Sequence, residues 1–249
     1  MTKLIIFDLD GTLTESKQPL TDDMAALVAE LLSVKKVAVI SGGALPQFLK
    51  QVVAKLPNNA NFAGLYILPT SGAALYEFDN GDWKKVYEER LSEKEEDMIK
   101  KVMHEVAEET GIVDFSEPSY GERIEYRGSQ VTLSALGQEA PIAEKKAWDP
   151  DYAKRKVLQE KIAAQLPEYS VSFGGKTSID VTKKGIDKAY GIQQLCKRLG
   201  IPESDSLYVG DELKAGGNDE AVYKTGAATC EVENPSDTIR TIKTILTSV

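Results

Sequence analysis

Asp8 and Asp10 stand at the end of the apolar run Leu4-Ile5-Ile6-Phe7 and are followed by Gly11-Thr12-Leu13-Thr14. A carboxylate at a strand end suits a nucleophile, and a second one two residues on suits a proton donor to a leaving group. Acids so close also call for a divalent cation, which would hold a phosphoryl group against both. The plainer alternative is an Asp that ends the strand and caps the loop after it.

Other strand ends in the chain carry similar residues. Val37 to Ile40 ends at Ser41-Gly42-Gly43, before a helical pattern. That arrangement makes a phosphate cradle, and it equally makes a tight strand-to-helix turn. Ser206 to Val209 ends at Gly210-Asp211, and Gly216-Gly217-Asn218-Asp219 follows. Asp8, Asp10, Asp211 and Asp219 offer carboxylates to a hard cation such as Mg²⁺, which keeps waters and needs only roughly two or three of them. Such a cluster repels itself without a compensating charge. Lys188, at the start of a helix, is a candidate for it; otherwise it is a solvated surface lysine.

The elements that must position these residues follow from periodicity. The stretches Leu4 to Phe7, Val37 to Ile40 and Ser206 to Val209 read as strands buried on both faces, as in a parallel sheet. Their carboxyl ends would lie along one edge, where open α/β sheets bind ligands. Thr21 reads as the N-cap of a helix to about Ser33, and Ala44 as the start of a helix to about Leu56. Residues 73–87 around Asp79-Asn80-Gly81-Asp82 read as a β-hairpin.

Near residue 88 the character changes. Ser92 to Thr110 predicts a charged helix closed by Gly111. A turn at Gly128-Ser129 would pair Tyr126 with Val131, Glu125 with Thr132 and Ile124 with Leu133, giving one apolar and one polar face. Helices at 92–110 and about 150–166 would cover the apolar face, and strands near 169–173 and 177–181 would extend the sheet. The polar face, with Arg123, Arg127, Gln130, Thr132, Ser178 and Asp180, would stay open. The α/β pattern resumes at Ile186. The fold class is α/β, a Rossmann-like parallel-sheet core of segments 1–83 and 186–249 with an inserted α+β domain at 84–185.

Composition narrows the function. The chain has 249 residues, 42% hydrophobic and 28% charged, with a net charge of −9. That acidity disfavours a nucleic-acid partner. No apolar run is long enough to span a membrane, and no signal-peptide pattern opens the chain, so a cytoplasmic location is expected. Cys196 and Cys230 lack metal-ligand spacing, and the single histidine, His104, lies in a charged helix. A small phosphorylated substrate is the expected partner. The 73–87 hairpin and the helices of the insert offer surfaces for a homodimer, which nothing in the sequence demands.

The stretch Asp8-Leu9-Asp10-Gly11-Thr12-Leu13-Thr14 resembles the first motif of haloacid-dehalogenase-type phosphotransferases, and Ser41, Lys188 and Gly210-Asp211 with Gly217-Asn218-Asp219 follow in that family's order. The resemblance implies Asp8 as a nucleophile that becomes aspartyl-phosphate and Asp10 as general acid/base. Ser41, with Gly42 beside it, and Lys188 would hold phosphoryl oxygens. Mg²⁺ would lie on Asp8, the main-chain carbonyl of Asp10 and Asp211, with Asn218 and Asp219 assisting. An insert after the third strand, the short run Tyr66 to Leu68, resembles the branch with a large α+β cap (Cof-like and sugar-phosphatase). Within it, Tyr126-Arg127-Gly128, Phe173-Gly174-Gly175-Lys176-Thr177-Ser178-Ile179-Asp180-Val181 and Gly185-Ile186-Asp187-Lys188 resemble eukaryotic-type phosphomannomutases. That likeness implies sugar-phosphate contacts from Arg127, Ser178 and Asp180. Gln138, Lys145 and Lys17 stand at or near positions where those mutases carry arginine, and Arg123 would compensate. Because arginine forks suit a distal phosphate better than Lys or Gln, a Mg²⁺-dependent sugar-phosphate phosphatase is the first expectation, and a phosphomannomutase the alternative.

Overall fold

The computed structural model describes residues 2–248. Two compact units form, one from the two ends of the chain, up to Glu88 and from Asp187 onward, the other from Glu89–Ile186. The first segment runs β1 (Leu4–Asp8), α1 (Asp22–Val34), β2 (Lys36–Ile40), α2 (Leu45–Gln51), β3 (Leu65–Leu68), β4 (Ala74–Asp79) and β5 (Asp82–Glu88). The insert holds α3 (Glu93–Thr110), β6 (Ile124–Tyr126), β7 (Gln130–Ser134), α4 (Ile142–Trp148), α5 (Ala153–Gln165), β8 (Tyr169–Phe173) and β9 (Ser178–Lys183). The last segment adds α6 (Lys188–Leu199), β10 (Ser206–Gly210), β11 (Ala228–Glu231) and α7 (Pro235–Thr247).

The core sheet has the order β11-β10-β1-β2-β3-β4-β5, parallel from β11 to β3 and antiparallel for the β4–β5 hairpin. Strand alternation sends Ile5, Phe7, Val37, Val39 and Val209 to one face, where Val28 and Leu31 of α1, Phe48 of α2 and Ile242 of α7 cover them. Leu4, Ile6, Ala38, Ile40 and Tyr208 go to the other, against Ile192 and Leu195 of α6. With both faces covered, the strands read as continuous apolar runs. Strand order reverses at β1, between β10 and β2, so the switch-point crevice of an α/β sheet opens beside Asp8.

The hairpin turn is set by Asn80 and Gly81, whose φ values of 50° and 84° suit a primed turn. Because β5 pairs with β4, the core runs on to Glu88, and the insert begins at Glu89 rather than at 84. The helix expected to reach Leu56 stops at Gln51 and gives way to a 3₁₀ turn at Val53–Lys55. Pro57 favours the extended backbone of Leu56, which ends the 3₁₀ turn.

In the insert the sheet order is β6-β7-β9-β8, all antiparallel. Tyr126 pairs with Val131, Glu125 with Thr132 and Ile124 with Leu133, the register that the alternation specifies. Ile99, Met103 and Val106 of α3 and Leu158 and Ile162 of α5 cover Val131, Leu133, Ile179 and Val181. Ser92 and Glu95 close a reciprocal capping box at the start of α3, and Gly111 at φ 63° ends it. Helix α4 has no counterpart in the sequence expectation, since seven residues carry too little periodicity to reveal it.

On the polar face of this sheet Arg123, Arg127, Gln138 and Ser178 are half-buried, while the central residues are buried. Gln130, Thr132, Ser134 and Asp180 are each at most 2% exposed. Cross-strand neighbours satisfy one another: Thr132 Oγ1 donates to Asp180 Oδ1 at 2.8 Å, and Ser134 and Ser178 hydroxyls are 2.8 Å apart. Gly174 packs against the Asp180 carboxylate, which a Cβ there would meet at 2.9 Å. Among the described residues no helix is long and apolar enough to cross a membrane.

Candidate active site

Asp8 ends β1 and is 2% exposed, a carboxylate held inside the protein at the sheet's carboxyl edge. Lys188 reaches it from the first turn of α6. Asp187 caps that helix by accepting from the Tyr190 N–H at 3.0 Å. Gly191, one turn on, lies against Gly72: a Cβ on Gly191 would fall 2.7 Å from the Gly72 Cα. Two residues without side chains thus let α6 settle close enough for Lys188 to enter the site.

Lys188 Nζ stands 2.6 Å from Asp8 Oδ1 and 2.5 Å from Asp219 Oδ1. Tyr208, on the α6 face of β10, donates its hydroxyl to Asp219 Oδ1 at 2.5 Å. The Glu212 N–H donates to the other Asp219 oxygen at 3.2 Å. All four side chains of this chain are at most 3% exposed. Burial works against the lysine charge, yet Asp219 and Asp8 together hold the ammonium above its ordinary value. Burial also pushes the Asp8 carboxyl well up, with Lys188 opposing and Asp219 and Asp211 adding to the rise. Burial and the neighbouring Asp219 raise the Tyr208 phenol, so it stays a neutral donor.

Asp8 Oδ2 is buried and has no hydrogen-bond partner. A desolvated carboxylate oxygen left in that condition suits a cation. Asp211, just past β10, lies on the same edge. Thr12 Oγ1 donates to Asp211 Oδ1 at 3.3 Å, and Thr12 is itself tied by its carbonyl to Thr238 of α7 at 2.7 Å. Gly11, at φ 99°, leaves the room that Asp211 occupies, since a Cβ there would lie 2.3 Å from Asp211 Oδ2. Asn218 Oδ1 is a second buried oxygen without a partner. Asp8, Asp211 and Asn218 therefore carry an oxygen donor set of the kind a hard cation takes.

The larger carboxylate cluster expected from the sequence does not assemble. Among the described residues no three acidic, histidine or cysteine side chains group as a metal site. Asp219 accepts from Lys188, Tyr208 and the Glu212 N–H, and so serves as the lysine's second anchor. The Asp10 carboxylate accepts from the Lys17 N–H at 2.6 Å and from Gln47 Nε2 at 3.0 Å.

Ser41 and Gly42 follow β2 as the spacing requires. Ser41 is buried, and its Oγ accepts from the Gly43 N–H at 3.4 Å. The loop is pinned from the neighbouring strand end, where the Ser71 N–H donates to the Ser41 carbonyl at 2.9 Å.

The candidates in the insert lie in the other unit, and their side chains are engaged there. Arg127 binds Glu125 Oε2 at 2.6 Å and Gln138 Oε1 at 2.9 Å. Arg123 donates to the carbonyls of Ala135 and Pro118 at 3.1 and 3.3 Å. Lys145 Nζ donates to the Gln138 carbonyl at 3.1 Å. Ser178 and Asp180 join the cross-strand pairs described above.

Sequence reasoning missed Thr12, Gln47, Tyr208 and Thr238. Tyr208 had a usable signal: it is a hydroxylated aromatic inside an otherwise aliphatic buried strand, and such a group needs a partner. Gln47 and Thr238 carried none, because their partners lie far away in sequence.

Residues 5–247 match the family model described as haloacid dehalogenase-like hydrolase. A phosphomannomutase of Arabidopsis thaliana is 26% identical over 98% of this chain and 97% of its own length. The phosphomannomutase of Saccharomyces cerevisiae is 23% identical over 95% of this chain and 91% of its own. Among solved structures, an IMP-bound Plasmodium falciparum IMP-nucleotidase superposes with a TM-score of 0.72 at 16% identity, covering 100% of this chain and 68% of that one. An Aspergillus fumigatus trehalose-6-phosphate phosphatase gives 0.54 at 18% identity, covering 99% and 93%. The fold, the motif order and the family match agree, and the chain belongs to the haloacid dehalogenase-like hydrolases.

Proposed function

We propose that this chain is a Mg²⁺-dependent phosphoryl-transfer enzyme of the phosphomannomutase kind, working through an aspartyl-phosphate at Asp8. The observation that carries the reading is the buried Asp8 carboxylate, with one oxygen on Lys188 and the other without a partner. Similarity to phosphomannomutases over nearly the whole chain supports a mutase over a phosphatase.

Asp8 attacks phosphorus in line, the bond to the sugar oxygen breaks, and Asp10 gives that oxygen its proton. The 6-hydroxyl of mannose 1-phosphate, losing its proton to Asp10, then takes the phosphoryl group from Asp8. The bisphosphate so formed turns end for end and returns its 1-phosphoryl group to Asp8, leaving mannose 6-phosphate. Lys188 holds negative charge as it develops, and Asp219 and Tyr208 hold Lys188. Ser41 and Gly42 cradle phosphoryl oxygens. Asp8, the Asp10 carbonyl and Asp211 would hold Mg²⁺, with Asn218 beside them; when bound, it supplies positive charge against the phosphoryl oxygens. Arg123, Arg127, Gln138, Ser178 and Asp180 are assigned to recognition of the sugar and its second phosphate. A cytoplasmic setting goes with this metabolism.

A second reading, a sugar-phosphate phosphatase, is favoured by one observation: Arg127 is already held by Glu125 and Gln138. The resemblance also puts Gln138 at, and Lys145 near, positions of arginines that would suit a distal phosphate better. Mannose 1-phosphate with a hexose bisphosphate activator and Mg²⁺ separates the two. Mannose 6-phosphate formed faster than inorganic phosphate supports the mutase. Inorganic phosphate as the main product overturns it in favour of the phosphatase.

A further inference from the structure

Asp10 has to present one carboxylate oxygen to a leaving group that is different in the two halves of a transfer cycle. Its aim therefore has to be held by other groups. The Lys17 N–H supplies one hold, at 2.6 Å to Oδ1. The other comes from a side chain of α2: Gln47 Nε2 donates to Asp10 Oδ2 at 3.0 Å. Gln47 is the third residue of α2, and its own N–H donates to the Ala44 carbonyl at 2.9 Å, so it starts from ordered backbone.

The route from α2 to Asp10 crosses Gly43. A Cβ on Gly43 would fall 2.4 Å from Gln47 Oε1 and 2.7 Å from its Cδ. Gly43 does not have a positive φ, so left-handed backbone does not explain a glycine here. The missing side chain leaves the space through which the Gln47 amide lies. The Gln47 amide thus lies against Gly43 of the Ser41-Gly42-Gly43 turn while it holds the Asp10 carboxylate.

Resting on the phosphoryl-transfer reading above, we infer that Gln47 is a positioning residue for Asp10 and that Gly43 is glycine to let its amide pass. Gln47 does not touch the reacting atoms; it acts by fixing the carboxylate that does. A methionine at this position keeps the length of the side chain and removes the donor.

The test is steady-state kinetics on mannose 1-phosphate with bisphosphate activator and Mg²⁺, following mannose 6-phosphate and inorganic phosphate together. Four proteins are compared: wild type, Gln47→Met, Gly43→Ala and the double variant. Gln47→Met is expected to lower kcat about tenfold with KM unchanged, the pattern of a misplaced group and not of lost binding. Gly43→Ala is expected to lower kcat similarly, and the double variant to be no slower than Gln47→Met alone, because both break one contact. A Gln47→Met enzyme with wild-type kcat, or one changed only in KM, overturns the inference while leaving the functional reading intact. Additive losses in the double variant overturn the link between Gly43 and Gln47. A wild type that transfers no phosphoryl group overturns the functional reading and this inference with it.

Discussion

Lys188 Nζ lies 2.6 Å from Asp8 Oδ1 although 180 residues separate the two, and both side chains are at most 3% exposed. The whole insert is spliced into that interval, so the core's central contact forms only when both ends of the chain have come together. Asp219 completes the arrangement as the ammonium's second partner. Removing the lysine would leave two buried carboxylates facing each other. Lys188→Met is therefore expected to lose phosphoryl transfer and also about 3–5 kcal/mol of stability, the usual result of breaking a buried ion pair from one side. Urea unfolding of the two proteins measures this. A variant as stable as wild type would show that Lys188 does not balance the carboxylates.

Gly191 makes a sharper case because local propensity and packing oppose each other. Alanine is better than glycine inside a helix by about 1 kcal/mol. Here the added Cβ would meet the Gly72 Cα at 2.7 Å. Gly191→Ala is expected to lower the melting temperature and to reduce kcat by moving the first turn of α6, which carries Lys188. A stabilised variant with full activity would mean that the Gly72 contact does not set the helix position.

In the insert, Glu95 gives a pH dependence whose sign follows from its bonds. Its carboxyl is held below the ordinary glutamate value by the Ser92 backbone N–H first, and by the Ser92 hydroxyl second. A depressed folded pKa adds stability above the unfolded value, and that contribution is lost as pH falls through the folded one. Wild type is thus expected to lose stability between neutral pH and the acid range more steeply than Glu95→Gln, which has no such carboxyl to protonate. Melting curves from neutral pH down to pH about 3 test this, and parallel curves would remove Glu95 from the account.

Much of the core was legible in the sequence because its physics is local. Apolar runs ending in Asp8, Ser41 and Asp211 marked buried strands with polar residues at their carboxyl ends, and the parallel sheet brings those ends to one edge. The Gly128-Ser129 turn and strict alternation fixed the hairpin register. What could not be read was decided by distant contacts. The bonds from Lys188, Tyr208 and the Glu212 N–H to Asp219 cross such distances and left no local signal. Alternation assigned side chains to the polar face of the inserted sheet, but not the bonds they make there, such as Thr132 to Asp180. Gln47 and Asp10 are 37 residues apart, and no periodicity links them.

The central claim is that Asp8 accepts the phosphoryl group. Its most direct test is a rapid acid quench of the enzyme turning over a phosphosugar, followed by borohydride reduction and peptide mass spectrometry. Borohydride converts an aspartyl-phosphate to homoserine and leaves a free aspartate unchanged. The account predicts conversion at position 8, dependent on substrate and absent in Asp8→Asn, which should also be inactive. Conversion at another acid, or wild-type turnover by Asp8→Asn, would contradict it.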